Sequence, residues 1–302
     1  MSGATRAEGE SVFVGPAGWS YEDWKGTVYP RPAPKGFDPL RYLSEYFDLI
    51  EVNATFYRPP ARTTVESWAR RVRDRERFRF TVKAWQGFTH EEERPAGEAE
   101  AMAFAESLAP LRAEGRLGAL LFQFPFWFAD RPANRDRLAR IAEWFRDLCP
   151  LVVEVRNTSW LRREPMTFLH ERGLGFANID LPPGRGNPPP TEFATTDTGY
   201  VRLHGRNGAA WFAKGAGRDQ KYDYRYSPAE VDEWVRRIHT VRGKTVSTYV
   251  VTNNHFRGQA PANALEIMAR IAGRSVPIPP PLATTYPDLG DGDVRTFSPF
   301  GG

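Results

Sequence analysis

The amino-acid sequence predicts a single (β/α)8 barrel. Three observations lead there. Short apolar runs alternate with longer amphipathic segments along most of the chain, the pattern of a parallel sheet with crossover helices. Eight such runs fall within roughly 270 residues, a count and length that suit a closed barrel. The first run leads into Gly15-Pro16-Ala17-Gly18-Trp19, so it lacks the G-x-G-x-x-G turn of the alternative, a doubly wound dinucleotide fold.

The elements follow in order. Val12–Gly15 reads as a strand ending in a glycine turn, and Asp38–Phe47 as a helix with Asp38 at the N-cap and Pro39 at the first helical position. Leu49–Asn53 is a strand, Thr63–Arg73 a helix, and Phe78–Ala84 a strand of alternating aromatic and β-branched residues. Glu98–Ala113 is a helix, Gly118–Gln123 a strand closed by Pro125, Arg135–Leu148 a helix, and Leu151–Val155 a strand. Pro165–Arg172 is a helix stopped by Gly173, and Gly175–Ile179 a strand. The sixth unit is weak: the proline-rich stretch Leu181–Pro190 precedes strand Tyr200–Leu203 with no long helix between. Helix Pro228–Val241 starts at N-cap Ser227, strand Thr245–Val251 follows, and Pro261–Ile271 is the last helix. The domain expectation is therefore a disordered segment 1–10, a barrel over 11–276, and a Pro- and Gly-rich tail over 277–302 that wraps the surface or frays.

Composition narrows the class. The chain has 302 residues, 41% of them hydrophobic, with 20 Phe, 11 Tyr and 9 Trp, enough to bury a large core. A net charge of +4 and a pI near 9.2 permit an anionic partner without demanding one. With Cys149 as its one cysteine the chain forms no internal disulfide and no cysteine metal cluster, which fits a reducing compartment. No apolar run approaches the ~20 residues that cross a bilayer, and 1–10 lacks an apolar signal core, so a cytoplasmic protein without a membrane partner is expected.

Barrel active sites lie where the strands end. Those ends carry Glu51, Asn53 and Tyr57; Lys83 and His90; Gln123; Glu154 and Arg156; Asp180; Arg202 and His204; and Asn254. Strands buried on both faces should be almost wholly apolar, so charge inside them is costly unless paired or used. Two readings stay open. Glu51, Lys83, Glu154 and His204 are catalytic, with Asn53, Tyr57, His90, Gln123, Arg156, Asp180, Arg202 and Asn254 binding substrate. Alternatively Glu51, Glu154 and Arg202 neutralise one another, Lys83 braces a glutamate, His204 is a core histidine and His90 caps a helix.

The segments Gly15–Pro30, Phe47–Pro59, Phe78–His90, Leu117–Pro125, Val153–Trp160, Val201–Arg206 and Thr252–Ala264, in that order, resemble the YecE-like proteins of the DUF72 family. The resemblance implies a TIM-barrel fold. It implies recurring polar positions at Glu51, Asn53, Lys83, His90, Gln123, Glu154, Arg156, Arg202, His204 and Asn254, but no reaction. One departure is Pro16, where the family more usually has Thr or Cys; it removes a backbone donor and argues against a loop phosphate site there.

The expected function is acid–base or hydrolytic chemistry on a small anionic substrate, phosphorylated or derived from nucleic acid. Lys83, Arg156 and Arg202 would hold the anion, Glu51 or Glu154 would be the base, and His204 the acid or its partner. A second expectation adds a divalent metal on Glu51, Glu154, Asp180 and His204, although no H-E-x-x-H is present and no cofactor is otherwise indicated. A third is nucleic-acid binding without catalysis through Arg218–Tyr226, set against a reading of Gly208–Ser227 as a lid loop. A Schiff-base role for Lys83 is a further alternative.

Overall fold

The computed structural model describes residues 12–184, 186–290 and 295–296; the expected disordered segment 1–10 lies outside them. Eight parallel strands form a nearly closed barrel: β1 (Val12–Pro16), β2 (Leu49–Val52), β3 (Arg79–Lys83), β4 (Leu117–Gln123), β5 (Leu151–Glu154), β6 (Leu174–Asp180), β7 (Thr198–Leu203) and β8 (Ser247–Thr252). Helices α1 (Pro39–Leu43), α2 (Arg62–Arg71), α3 (Glu98–Ala113), α4 (Pro132–Phe145) and α5 (Arg163–Glu171) follow the first five strands. Among the described residues no helix intervenes between β6 and β7. After β7 come two single turns, α6 (Gly208–Trp211) and α7 (Arg218–Lys221), then α8 (Pro228–Arg242); α9 (Gln259–Ala272) follows β8. The start signals act as expected: the Asp38 carboxylate accepts from the amides of Leu40 and Arg41, and Ser227 and Glu230 form a capping box on α8. In the tail, a strand pair β9 (Pro277–Ile278) and β10 (Arg295–Thr296) flanks helix α10 (Pro280–Thr285), so its described part is more regular than composition suggests.

Two apolar layers hold the barrel. The larger fills the space between sheet and helices, with Trp24, Phe80, Phe104, Phe122, Trp160 and Trp234 buried. The smaller fills the lumen, with Phe13, Leu49, Leu121, Val152, Tyr200 and Tyr249. Side chains alternate between these layers along each strand. The lumen phase of β7 therefore runs Tyr200, Arg202, His204, and that of β8 runs Tyr249, Val251, Asn253. The lower lumen is apolar and its upper end is charged.

The seam between β1 and β2 is the thin point. Every other neighbouring pair forms a ladder, whereas here the pairing is the single bridge Ala17–Glu51, with the Gly18 amide donating to the Glu51 carbonyl at 2.8 Å. At the other end the Val14 amide donates to Asp48 Oδ1 at 2.8 Å. Between them Gly15 meets the β2 backbone so closely that a Cβ there would stand 1.8 Å from the Leu49 carbonyl oxygen. Gly15→Ala is expected to lower stability by about 2 kcal/mol through forced separation of the two strands, read as a fall in thermal midpoint. An unchanged midpoint would contradict this close approach.

Candidate active site at the barrel mouth

A cavity of about 920 Å3 opens at the C-terminal ends of the strands. Its floor is built around Arg202. The guanidinium faces the Glu51 carboxylate through Nε at 2.9 Å and Nη2 at 2.6 Å, and reaches Glu154 Oε2 through Nη1 at 2.7 Å. Both carboxylates are fully buried. Tyr200 donates to Glu51 Oε2 at 2.8 Å from the layer below. Glu154 Oε1 accepts from Arg156 at 3.1 Å and lies 3.3 Å from His204 Nε2. His204 Nδ1 faces Asn253 Nδ2 at 3.0 Å, which leaves the ring proton on Nε2.

The charges shift accordingly. Burial alone would raise the Glu154 pKa, but Arg202, His204 and Arg156 together hold it well below the usual carboxylate range. Burial would also discharge Arg202, and its two carboxylates outweigh that and keep it firmly charged. Burial pushes His204 down to about 4 against the pull of Glu154, so the ring is neutral at pH 7. Burial, helped by Lys83 and Arg156, likewise takes His90 to about 4.

Lys83 differs from the other cations. Its Nζ donates to the neutral Gln123 Oε1 at 2.9 Å and sits 3.8 Å above the Phe56 ring. Among the described residues no carboxylate comes within ion-pair distance of it. Burial, with the nearby Arg202 and Arg156, lowers its pKa to about 7, while Glu154 and Glu51 pull the other way.

Of the sequence-derived set, Asn53, Tyr57, Lys83, His90, Gln123, Arg156 and Arg202 line the cavity. Glu51, Glu154 and His204 lie behind its surface, fully buried and mutually paired. Glu51 and Glu154 are thus turned toward Arg202, with no atom on the cavity surface. Two further residues are misplaced by the sequence reading. Asp180 binds Arg206 at 2.8 Å, and Asn254 binds Asn263 of α9 at 2.9 Å; neither lines the cavity. Both fall one residue out of the lumen phase, which Ile179 and Asn253 occupy, so their side chains point toward the helices.

The donor set suggested for a metal does not converge. Asp180 is turned away, and the Arg202 cation occupies the space between Glu51 and Glu154. Among the described residues no three His, Cys, Asp or Glu side chains gather around a common point. The basic-aromatic stretch is mixed, with Arg218 and Asp219 exposed and Tyr222 lining the cavity. Arg218 pairs with Asp219, Arg225 pairs with Asp288 and Glu266, and Tyr226 is buried.

An aromatic and amide wall lies beyond the residues assigned to the site from sequence. Tyr21, Trp211, Tyr222, Asn253 and His255 line the cavity from the segments that follow β1, β7 and β8. Trp211 and Tyr222 belong to the stretch after β7 that carries the turns α6 and α7. No local motif marks these residues; lumen phase alone would have found Asn253. Among the described residues no helix is long and apolar enough to cross a membrane.

Comparison with known proteins agrees with this architecture. The family model described as protein of unknown function DUF72 matches residues 13–285. The UPF0759 protein YunF of Bacillus subtilis (strain 168) is 31% identical over 271 residues, 85% of this chain and 93% of YunF. The crystal structure of a DUF72 family protein from Thermotoga maritima MSB8 is 32% identical with a TM-score of 0.72, covering 86% of this chain and 99% of that one. That of a DUF72 family protein from Enterococcus faecalis V583 is 27% identical with a TM-score of 0.75, covering 87% and 95%. A family pattern that runs from the first barrel strand through α10, over the same strand ends that build this mouth, means that the chain belongs to the DUF72 family.

Proposed function

We propose that the barrel mouth is the active site of an enzyme that binds a small phosphorylated substrate and moves a proton with Lys83. The observation that carries this reading is the charge balance of the floor. Arg202 and Arg156 share the two carboxylates Glu51 and Glu154, which leaves Lys83 as a cation without a counter-ion among the described residues. An anion entering the cavity would complete the set, with Arg156 offering a planar fork and Lys83 a point charge.

The same amine suits acid–base work. A pKa of about 7 lets it give or take a proton near neutrality, where general catalysis is most effective. Glu51 and Glu154 then act through Arg202 and His204, fixing their positions. The test is calorimetric titration with inorganic phosphate at low ionic strength. The intact protein is expected to bind, and Arg156→Met to bind roughly 10-fold more weakly, the loss of one charge-assisted contact. An intact protein that takes up no phosphate would overturn the reading, as would an Arg156→Met variant of undiminished affinity.

A further inference from the structure

We propose that His255 and Asn53 form a second subsite in this cavity, which recognises the hydroxyl groups of a phosphorylated sugar or polyol. The proposal rests on the reading above and names its substrate class. His255 is 3% exposed, yet neither ring nitrogen has a hydrogen-bond partner among the described residues. Its orientation is fixed. Tyr21 stacks on one face at 4.6 Å and 9°, Tyr222 approaches at 5.3 Å, and the His255 carbonyl accepts from Trp24 Nε1 at 2.7 Å. The Asn53 side chain donates to Asn253 at 3.4 Å, and its Oδ1 is likewise buried and without a partner. Both residues line the same cavity as Lys83 and Arg156.

Buried polar atoms are nearly always satisfied, and these three belong to residues of the cavity wall, where groups of a ligand would satisfy them. Their chemistry selects those groups. Burial, with Arg218 nearby and Asp219 opposing, lowers the His255 pKa to about 4, so the ring is neutral and presents one donor and one acceptor. Asn53 Oδ1 adds an acceptor. A phosphate dianion, which only accepts, would answer one of the three; hydroxyls, which both donate and accept, answer all of them. A flat base is disfavoured by the walls. Tyr21 already stacks on His255, and Trp211 meets Tyr222 edge-on at 88°, so neither of these wall pairs leaves an open slot between its rings.

The probes are inorganic phosphate, glycerol 3-phosphate, ribose 5-phosphate, glucose 6-phosphate and adenosine 5′-phosphate, titrated into the intact protein, His255→Phe and Asn53→Leu. At least one sugar or polyol phosphate is expected to bind the intact protein about 10-fold or more tightly than inorganic phosphate. In His255→Phe, which keeps a flat ring against Tyr21, that ratio should fall to near one. In Asn53→Leu it should fall at least ~3-fold, and this variant serves if the first does not fold. Phosphate binding with no sugar preference sinks the subsite alone, whereas absence of phosphate binding sinks the function proposed above as well. Retention of the full preference in either folded variant also overturns the subsite, and so does a His255-dependent preference for adenosine 5′-phosphate over ribose 5-phosphate.

Discussion

Arg202→Met is expected to destabilise the protein by about 3–5 kcal/mol, the usual consequence of removing one partner from a buried ionic cluster. The guanidinium is 2% exposed and stands between two fully buried carboxylates supplied by β2 and β5. Without it, two negative charges face each other across the top of the lumen with no solvent to screen them. The loss should be non-additive. Glu51→Gln and Glu154→Gln added to Arg202→Met remove the stranded charges and should recover some of the stability, because the three residues act as one unit. Urea unfolding of the single and triple variants checks this. A single variant within ~1 kcal/mol of the parent, or a triple variant less stable than the single, would contradict the account.

Lys83→Met is expected to do the reverse, raising stability while weakening anion binding. The Lys83 pKa falls from 10.5 to about 7 on folding, so between those values the unfolded chain holds the extra proton and stability rises with pH. Below about pH 7 the amine is charged in both states, and the folded protein bears the full cost of holding that charge away from water. The gain from Lys83→Met should therefore be greatest at and below neutral pH, about 2 kcal/mol because the partly exposed amine is partly screened, and vanish toward pH 10. The titrating group is faced by Arg202 and Arg156 on one side and by Glu154 and Glu51 on the other, so Arg156→Met should move the midpoint upward. Sulfate keeps its charge over this range and makes a clean probe. Its affinity should weaken as pH rises through about 7 in the parent and stay flat in Lys83→Met. A flat profile in the parent would show that Lys83 does not carry the binding.

Much of the barrel was legible because its determinants are local. Alternation of short apolar runs with capped helices located all eight strands, and Asp38 and Ser227 cap the helices the sequence assigned to them. The floor was legible as composition but not as geometry. Charged residues inside buried strands flagged Glu51, Glu154 and Arg202, yet no sequence feature says that one arginine reaches two strands at once. Phase is the finer lesson. Asp180 and Asn254 were chosen for polarity at a strand end, and each lies one residue from the position that points inward. Tyr222 was legible only as part of the basic-aromatic run Arg218–Tyr226, and Trp211 escaped notice because an aromatic in a loop reads as rim packing until the fold turns it toward the cavity.

The seam between β1 and β2 gives the mouth a clasp. Elsewhere, widening the ring would break a ladder of backbone hydrogen bonds; at the mouth end of this seam it would break the isolated bridge between Ala17 and Glu51. The opening is thus least costly to enlarge on the side where Tyr21 and Asn53 stand, and the girth of an occupant is accommodated there first. Glu51 fastens the clasp with its backbone and holds Arg202 with its side chain, so whatever settles on the floor pulls, through one residue, on the closure of the whole ring.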